Sequence, residues 1–164
     1  MHITSASALW FLPFLAPITI WVAWSDLKFM KIPNVAVIAT FIVFAGVGLI
    51  ALPFDEYLRR YVQFAIVLGI GFVGNLLRLF GAGDAKFGAA MVLFLPLNDL
   101  GPFLQILAIT LLAAFVTHRV AKRVPYIQRT APDWESWQRR DFPMGYALGS
   151  ALIFYLGFGA FFGR

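Results

Sequence analysis

The chain has no cysteine among its 164 residues and only two histidines, His2 and His118. The absence of cysteine excludes disulfides, thiolate–zinc sites and a cysteine nucleophile. Because the two histidines are separated by most of the chain, a histidine-rich metal site is not expected. No lysine or arginine precedes the first apolar stretch, so we expect that stretch to be retained as a membrane helix rather than removed as a signal peptide.

Charged residues are scarce as well, at 13% of the chain against 61% hydrophobic residues. A soluble domain of this length is roughly half apolar and about one quarter charged. The apolar excess is too large for one small core to bury, which indicates lipid as the solvent. The formal net charge is +5, but the basic residues lie between apolar runs. They are typical of topology signals rather than of a nucleic-acid interface.

Six charge-free stretches divide the chain, and a bilayer is spanned by about 20 apolar residues in a helix. We therefore predict an all-α polytopic integral membrane protein with six transmembrane helices, forming a single domain over residues 1–164. The fourth charge-free stretch, Phe87–Asn98, is too short to span alone, so its helix is expected to start near Gly83 and Asp84. The expected spans are about 8–25, 32–54, 61–77, 83–98, 100–117 and 142–163.

The basic residues predict the orientation of these spans. With the N-terminus outside, ten of the thirteen basic residues face the cytoplasm, which satisfies the positive-inside rule. Both termini are then outside a bacterial cytoplasmic membrane, and Asp26 and Asp84 share the cytoplasmic face. The ten are Lys28, Lys31, Arg78, Lys86, Arg119, Lys122, Arg123, Arg129, Arg139 and Arg140.

The longest polar segment, residues 119–141, mixes basic residues with Tyr126, Trp134 and Trp137. Such a composition favours a segment that lies on the anionic inner leaflet. An ordinary solvated loop fits the composition equally well.

Two aspartates are the candidate chemical groups. Asp26 ends the first apolar run, and Asp84 is framed by Gly81 and Gly83. Each has a purely structural interpretation, Asp26 as a polar stop and Asp84 as a favourable charge in a helix's first turn. As a pair they could hydrolyse a peptide, since one ionised carboxylate activates water while its protonated neighbour donates a proton. A serine nucleophile is not indicated, because Gly-x-Ser-x-Gly is absent.

Three motifs occur in order along the chain: Asp26 shortly before Ile32-Pro33-Asn34, then Gly81-Ala82-Gly83-Asp84-Ala85-Lys86, and finally Phe142-Pro143-Met144-Gly145. Together they resemble the type IV prepilin peptidase family of GxGD membrane aspartyl proteases, which more often has Tyr at the Met144 position. The resemblance implies a GxGD aspartyl protease-like helix bundle without metal or cofactor.

The resemblance also implies the site residues and the reaction. Asp26 and Asp84 would be the catalytic pair, supported by Gly81, Gly83 and Lys86, and the site-adjacent residues would be Pro33, Asn34, Pro143 and Gly145. The substrate would be a membrane-inserted prepilin whose cytoplasmic leader is removed. Longer members insert a cysteine-bearing domain after the first span and also methylate the pilin. Only residues 26–31 separate the first two spans here, so the chain resembles the short, peptidase-only form of Tad/Cpa (Flp-type) pili.

Helix ends predict the roles within the pair. Asp26 lies near the C-terminal end of the first helix, where partial negative charge disfavours ionisation, and Asp84 lies near a helix N-terminus, which favours it. Lys86 would favour an ionised Asp84 further if it pointed into the site. We therefore expect Asp84 to be the base and Asp26 the acid.

Other functions remain open at this point. A small transporter or channel subunit would also carry intramembrane carboxylates, and a structural assembly subunit would need none. Within the family, a preflagellin peptidase would use the same two aspartates. Gly145 and Gly149 form a Gly-xxx-Gly pair that indicates close helix packing in the bundle or, alternatively, a dimer face. The oligomeric state is not indicated.

The predicted topology can be tested by cysteine labelling, because the native chain has no cysteine. In Thr130→Cys, position 130 should react with a membrane-impermeant maleimide only after the inner face is exposed, since its flanking arginines favour the cytoplasm. Labelling from the outside alone would contradict the topology.

Overall fold

A computed structural model describes residues 1–139 and 141–164, and these residues are mainly helical. No strand occurs among them, which confirms the all-α prediction. Two 3-10 turns, Leu97–Asp99 and Glu135–Trp137, accompany the α-helices. The helices are α1 (Ser5–Phe29), α2 (Asn34–Ala51), α3 (Phe54–Leu76), α4 (Ala82–Val92), α5 (Leu100–Ala121), α6 (Pro125–Thr130) and α7 (Met144–Phe162).

Four helical segments are long and apolar enough to cross a membrane: Ser5–Phe29, Asn34–Ala51, Leu97–Ala121 and Met144–Phe162. Their outward surfaces carry many large apolar side chains, among them Ile50 at 70% exposure. A surface this apolar is suited to lipid, so the chain is an α-helical membrane protein. Neither α3 nor α4 is among the four segments.

The helix boundaries depart most from the charge-free stretches at the start of the third helix and at the end of the fourth. The third helix begins at Phe54 rather than near Tyr61, because Pro53 precedes it and Asp55 and Glu56 suit its first turn. The fourth helix ends at Val92 instead of continuing to Asn98. Two tight turns follow it, and then Pro96, which has no N–H for a helical hydrogen bond.

Different helix ends meet at the two ends of the bundle. At one end, Ser7 Oγ donates to Ala51 O at 2.7 Å, so the start of α1 lies beside the end of α2. The same end contains Asp99, which is fully buried and accepts hydrogen bonds from His2 N at 2.7 Å and from Tyr155 Oη at 2.7 Å. The opposite end holds the last turn of α1 and the first turns of α4 and α7.

Glycines allow α1 and α7 to pack closely. A Cβ added at Gly149 would lie 2.9 Å from the backbone oxygen of Thr19, and one at Gly145 would lie 3.0 Å from the Cβ of Asp26. Both glycines therefore face the inside of the bundle, as the close-packing interpretation of the Gly-xxx-Gly pair requires.

The polar segment after α5 folds back onto the bundle. Trp137 stacks on His118 with ring centroids 5.3 Å apart, and Trp134 stacks on Trp137 at 5.5 Å. These aromatic side chains thus make contacts within the protein, whereas Tyr126 is 75% exposed. Arg140, one of the basic residues behind the predicted orientation, lies outside the described residues.

Substitution at the α1–α7 contact should reduce stability. Gly149→Ala places a methyl group against the Thr19 carbonyl, and overpacking of this kind costs about 1–3 kcal/mol of unfolding free energy. Gly157→Ala, on the same helix, is the matched control because a Cβ there meets nothing within 4 Å. Thermal unfolding in detergent should show a lower midpoint for Gly149→Ala alone; equal midpoints would contradict the packing.

Candidate active site

Asp26 lies in the last turn of α1, which runs to Phe29 and stops where Met30 adopts a left-handed conformation (φ 50°). Its side chain is buried, with 5% exposure. The backbone N–H of Gly145 donates to Asp26 Oδ2 at 2.6 Å, and the next backbone N–H, that of Tyr146, also lies near this carboxyl. The first turn of α7 thus holds the Asp26 carboxyl with backbone donors.

Asp84 occupies the first turn of α4, as the sequence predicted. Its Oδ2 accepts a hydrogen bond from the backbone N–H of Gly81 at 3.2 Å, and its side chain is half-buried. The carboxyl therefore lies at a helix N-terminus, where free N–H groups and the helix dipole favour negative charge.

Ile32, in the linker between α1 and α2, joins the two halves of the site. A Cβ built on Gly83 would lie 3.3 Å from the Cβ of Ile32, and one built on Gly145 would lie 3.0 Å from its Cγ1. The starts of α4 and α7 therefore both pack against the same side chain, which is 7% exposed. The two carboxyl groups are consequently close enough for the charge of Asp84 to act on Asp26.

The site glycines act through close approach rather than through a left-handed backbone. None of the glycines in the described part of the chain has a positive φ. A side chain at Gly81 would meet Asp84 Oδ2 at 2.9 Å, and one at Gly83 would press on Ile32. The two glycines therefore leave room for the protein's own side chains at the start of α4.

Lys86 and Asn34 interact with each other. Lys86 Nζ donates to Asn34 Oδ1 at 3.3 Å and so connects α4 to the start of α2. Asn34 is the first residue of α2, and Pro33 before it takes the cap position without a side-chain capping hydrogen bond. Among residues 1–139 and 141–164, Lys86 forms no ion pair with Asp26 or Asp84.

Two grooves flank α4 beside α3. One has a volume of about 200 Å³ and includes Asp84, Phe80 and Met144 in its lining. The other, of about 520 Å³, is lined by apolar residues of α3 such as Phe64 and Phe72, with Lys86 at its edge. In the described part of the chain, no three His, Asp or Glu side chains come together in a way that would hold a metal ion.

Two features of this site have no counterpart in the sequence-based prediction. Gly145 was expected beside the site, but its N–H bond to Asp26 depends on how α7 enters the bundle. Ile32 was noted only as part of a motif, although it separates and positions both helix starts. A buried apolar residue between two motifs has no signal of its own in a single sequence.

These features define the class of protein. The chain is an α-helical membrane protein with two neighbouring carboxyl groups at one end of its helix bundle. The family model described as the type IV leader peptidase family matches residues 13–118, which include Asp26 and Asp84. The chain belongs to the type IV leader peptidase family, and this membership implies a peptidase. No curated protein and no solved structure matches the chain.

Proposed function

We propose that the chain is an aspartyl endopeptidase that removes the cytoplasmic leader peptide from membrane-inserted prepilins of the Flp/Tad type. The observation that carries the proposal is the convergence of Asp26 and Asp84, which are far apart in sequence, around Ile32. Family membership supports peptide hydrolysis, and the neighbouring carboxyls supply a mechanism for it.

The chemistry follows from two carboxyls in different protonation states. An ionised carboxylate takes a proton from water, and the resulting hydroxide adds to the scissile carbonyl carbon while the protonated carboxyl donates to the carbonyl oxygen. Collapse of the tetrahedral intermediate then breaks the C–N bond. The first carboxyl passes the proton that it took from water to the leaving amine, and the second carboxyl recovers a proton from a hydroxyl of the intermediate. The apparent pKa values of such a mechanism belong to the pair as a unit.

Solvent access supports Asp84 as the base. Asp84 is half-buried beside a groove that could admit water, whereas Asp26 is 5% exposed. The helix ends favour these roles less strongly than the sequence predicted. Asp26 lies at the C-terminal end of α1, but it also faces the N-terminal N–H groups of α7, whose effect on charge is opposite.

In this proposal the protein lies in the bacterial cytoplasmic membrane, with both termini outside and the two aspartates toward the cytoplasm. Crossing by α3 and by the segment from α4 to Leu97 would bring the number of spans to six. Lys122, Arg123 and Arg129, on either side of the exposed Tyr126, would rest on the anionic inner leaflet. The whole chain would form one peptidase domain, in which Pro33 and Pro143 fix the entries to α2 and α7.

Single substitutions of either aspartate should abolish cleavage. In Asp26→Asn and Asp84→Asn the pair can no longer combine a base with an acid, so we expect prepilin processing to fall by roughly 10²–10⁴-fold. Processing is measured by the mobility shift of a co-expressed prepilin, and membrane insertion is checked in parallel.

Asp133→Asn is the matched control, since Asp133 is exposed in the segment before α7. It should process prepilin at the wild-type rate. Near wild-type processing by a correctly inserted Asp26→Asn or Asp84→Asn would refute the aspartyl mechanism. Altered ion flux without proteolysis would instead favour a transporter.

The protein is expected to cleave prepilin without methylating the new N-terminus. The linker between α1 and α2 holds only residues 30–33, which leaves no space for an inserted cytoplasmic domain. Mass spectrometry of pilin processed by the purified protein should therefore show a free N-terminal amine, even when a methyl donor is added. A methylated N-terminus would contradict the peptidase-only proposal.

A further inference from the structure

A polar cavity of about 770 Å³ lies at the end of the bundle opposite the aspartates. It is formed by the first turns of α3, by His2 and by the turn before α5. With a rise of 1.5 Å per residue, α1 separates the two ends of the bundle by roughly 35 Å. The cavity is therefore no part of the candidate active site.

Two side chains that line this cavity, Arg60 and Gln63, each carry a buried polar atom that has no partner among the described residues. Arg60 is 2% exposed, and its Nη2 donates to Glu56 Oε1 while its Nη1 has no hydrogen-bond partner within residues 1–139 and 141–164. Gln63 Oε1, one turn further along α3, is likewise buried and unpartnered in that part of the chain. An unpaired buried donor or acceptor is costly, so a ligand that brings both kinds of group would be favoured here.

Charges of both signs surround the cavity. Asp55 and Arg59 are exposed at its mouth, and Glu56 is 40% exposed between them and Arg60. The acidic side chains oppose a simple anion, whereas a ligand that carries a phosphodiester and an amine can interact with both signs. Arginine in particular suits the oxygens of a phosphate group.

An apolar groove continues from the polar cavity. This groove has a volume of about 220 Å³ and shares Gln63, Ile66, Pro96 and Leu97 with the cavity. Along its length Ile66 is 58% exposed and Ile70 is 64% exposed, so the groove opens on the surface that faces lipid. A polar cavity that leads into an open apolar groove has the shape of a site for a headgroup and an acyl chain.

We propose that this site binds an aminophospholipid, with the phosphodiester against Arg60 Nη1 and the amine toward Glu56 and Gln63 Oε1. One acyl chain occupies the groove beside Ile66 and Ile70. The lipid then occupies the cavity and the groove between α3 and the turn that joins α4 to α5. This inference is independent of the proposed peptidase activity.

Native mass spectrometry of the full chain in detergent tests the proposal with three added probes: phosphatidylethanolamine, phosphatidylcholine and inorganic phosphate. Phosphatidylethanolamine should bind most tightly, because the choline headgroup has no N–H to donate and free phosphate has no acyl chain. In Arg60→Lys, which keeps the charge next to Glu56 but loses the second guanidinium nitrogen, its affinity should fall about tenfold.

Two further variants complete the experiment. Arg78→Gln changes an exposed arginine just beyond the other end of α3 and should leave lipid binding unchanged. Gln63→Leu removes the unpartnered acceptor with little change of volume, so it tests the site even if Arg60→Lys does not fold. It should weaken phosphatidylethanolamine binding and leave phosphatidylcholine binding unaffected.

Several results would overturn the proposal. Equal binding of phosphatidylethanolamine by wild type and by Gln63→Leu or a folded Arg60→Lys would exclude this cavity as the headgroup site. Equal affinity for inorganic phosphate would indicate a soluble anion, and equal affinity for phosphatidylcholine would exclude recognition of the amine. Displacement of the lipid by a prepilin helix, with crosslinks at Ile66, would identify the groove as a peptide site.

Discussion

The hydrogen bond from Gly145 N–H to Asp26 Oδ2, at 2.6 Å, is the constraint on which the candidate site depends. It requires α7 to begin against the last turn of α1, and glycine at position 145 favours this approach because a Cβ there would lie only 3.0 Å from Asp26 and from Ile32. This contact between α7 and α1 also buries Ile32, and α4 packs against Ile32 at Gly83. One backbone donor thus links the position of Asp26 to that of Asp84.

A second buried carboxylate has the corresponding role at the far end of the bundle. Asp99 accepts hydrogen bonds from the backbone N–H groups of His2 and Ile3 and from Tyr155 Oη, so it fixes the start of α1 to the middle of α7. Both ends of the α1–α7 pair are therefore fixed by an aspartate carboxyl group that accepts backbone hydrogen bonds. In an apolar environment the loss of such a bond is costly, because it leaves an unpaired polar group.

The sequence predicted the all-α membrane class and the family, because apolar runs and three short motifs are local signals. It placed Asp84 in the first turn of a helix for the same reason. It did not predict the start of α3 at Phe54, since a charge-free criterion ignores residues that suit a helix N-terminus. Nor did it predict the Gly145 and Ile32 contacts or the Lys86–Asn34 hydrogen bond, because contacts between distant segments depend on the packing of whole helices.

A disulfide between positions 32 and 83 tests most directly whether the two halves of the site meet as described. The Cβ of Ile32 and a Cβ built on Gly83 are 3.3 Å apart, near the separation of about 3.5–4.5 Å that disulfides require. Ile32→Cys/Gly83→Cys should crosslink under mild oxidation, whereas Ile32→Cys/Gly88→Cys should not, since a Cβ at Gly88 meets nothing within 4 Å. Crosslinking of the control pair, or of neither pair, would contradict the convergence of Asp26 and Asp84.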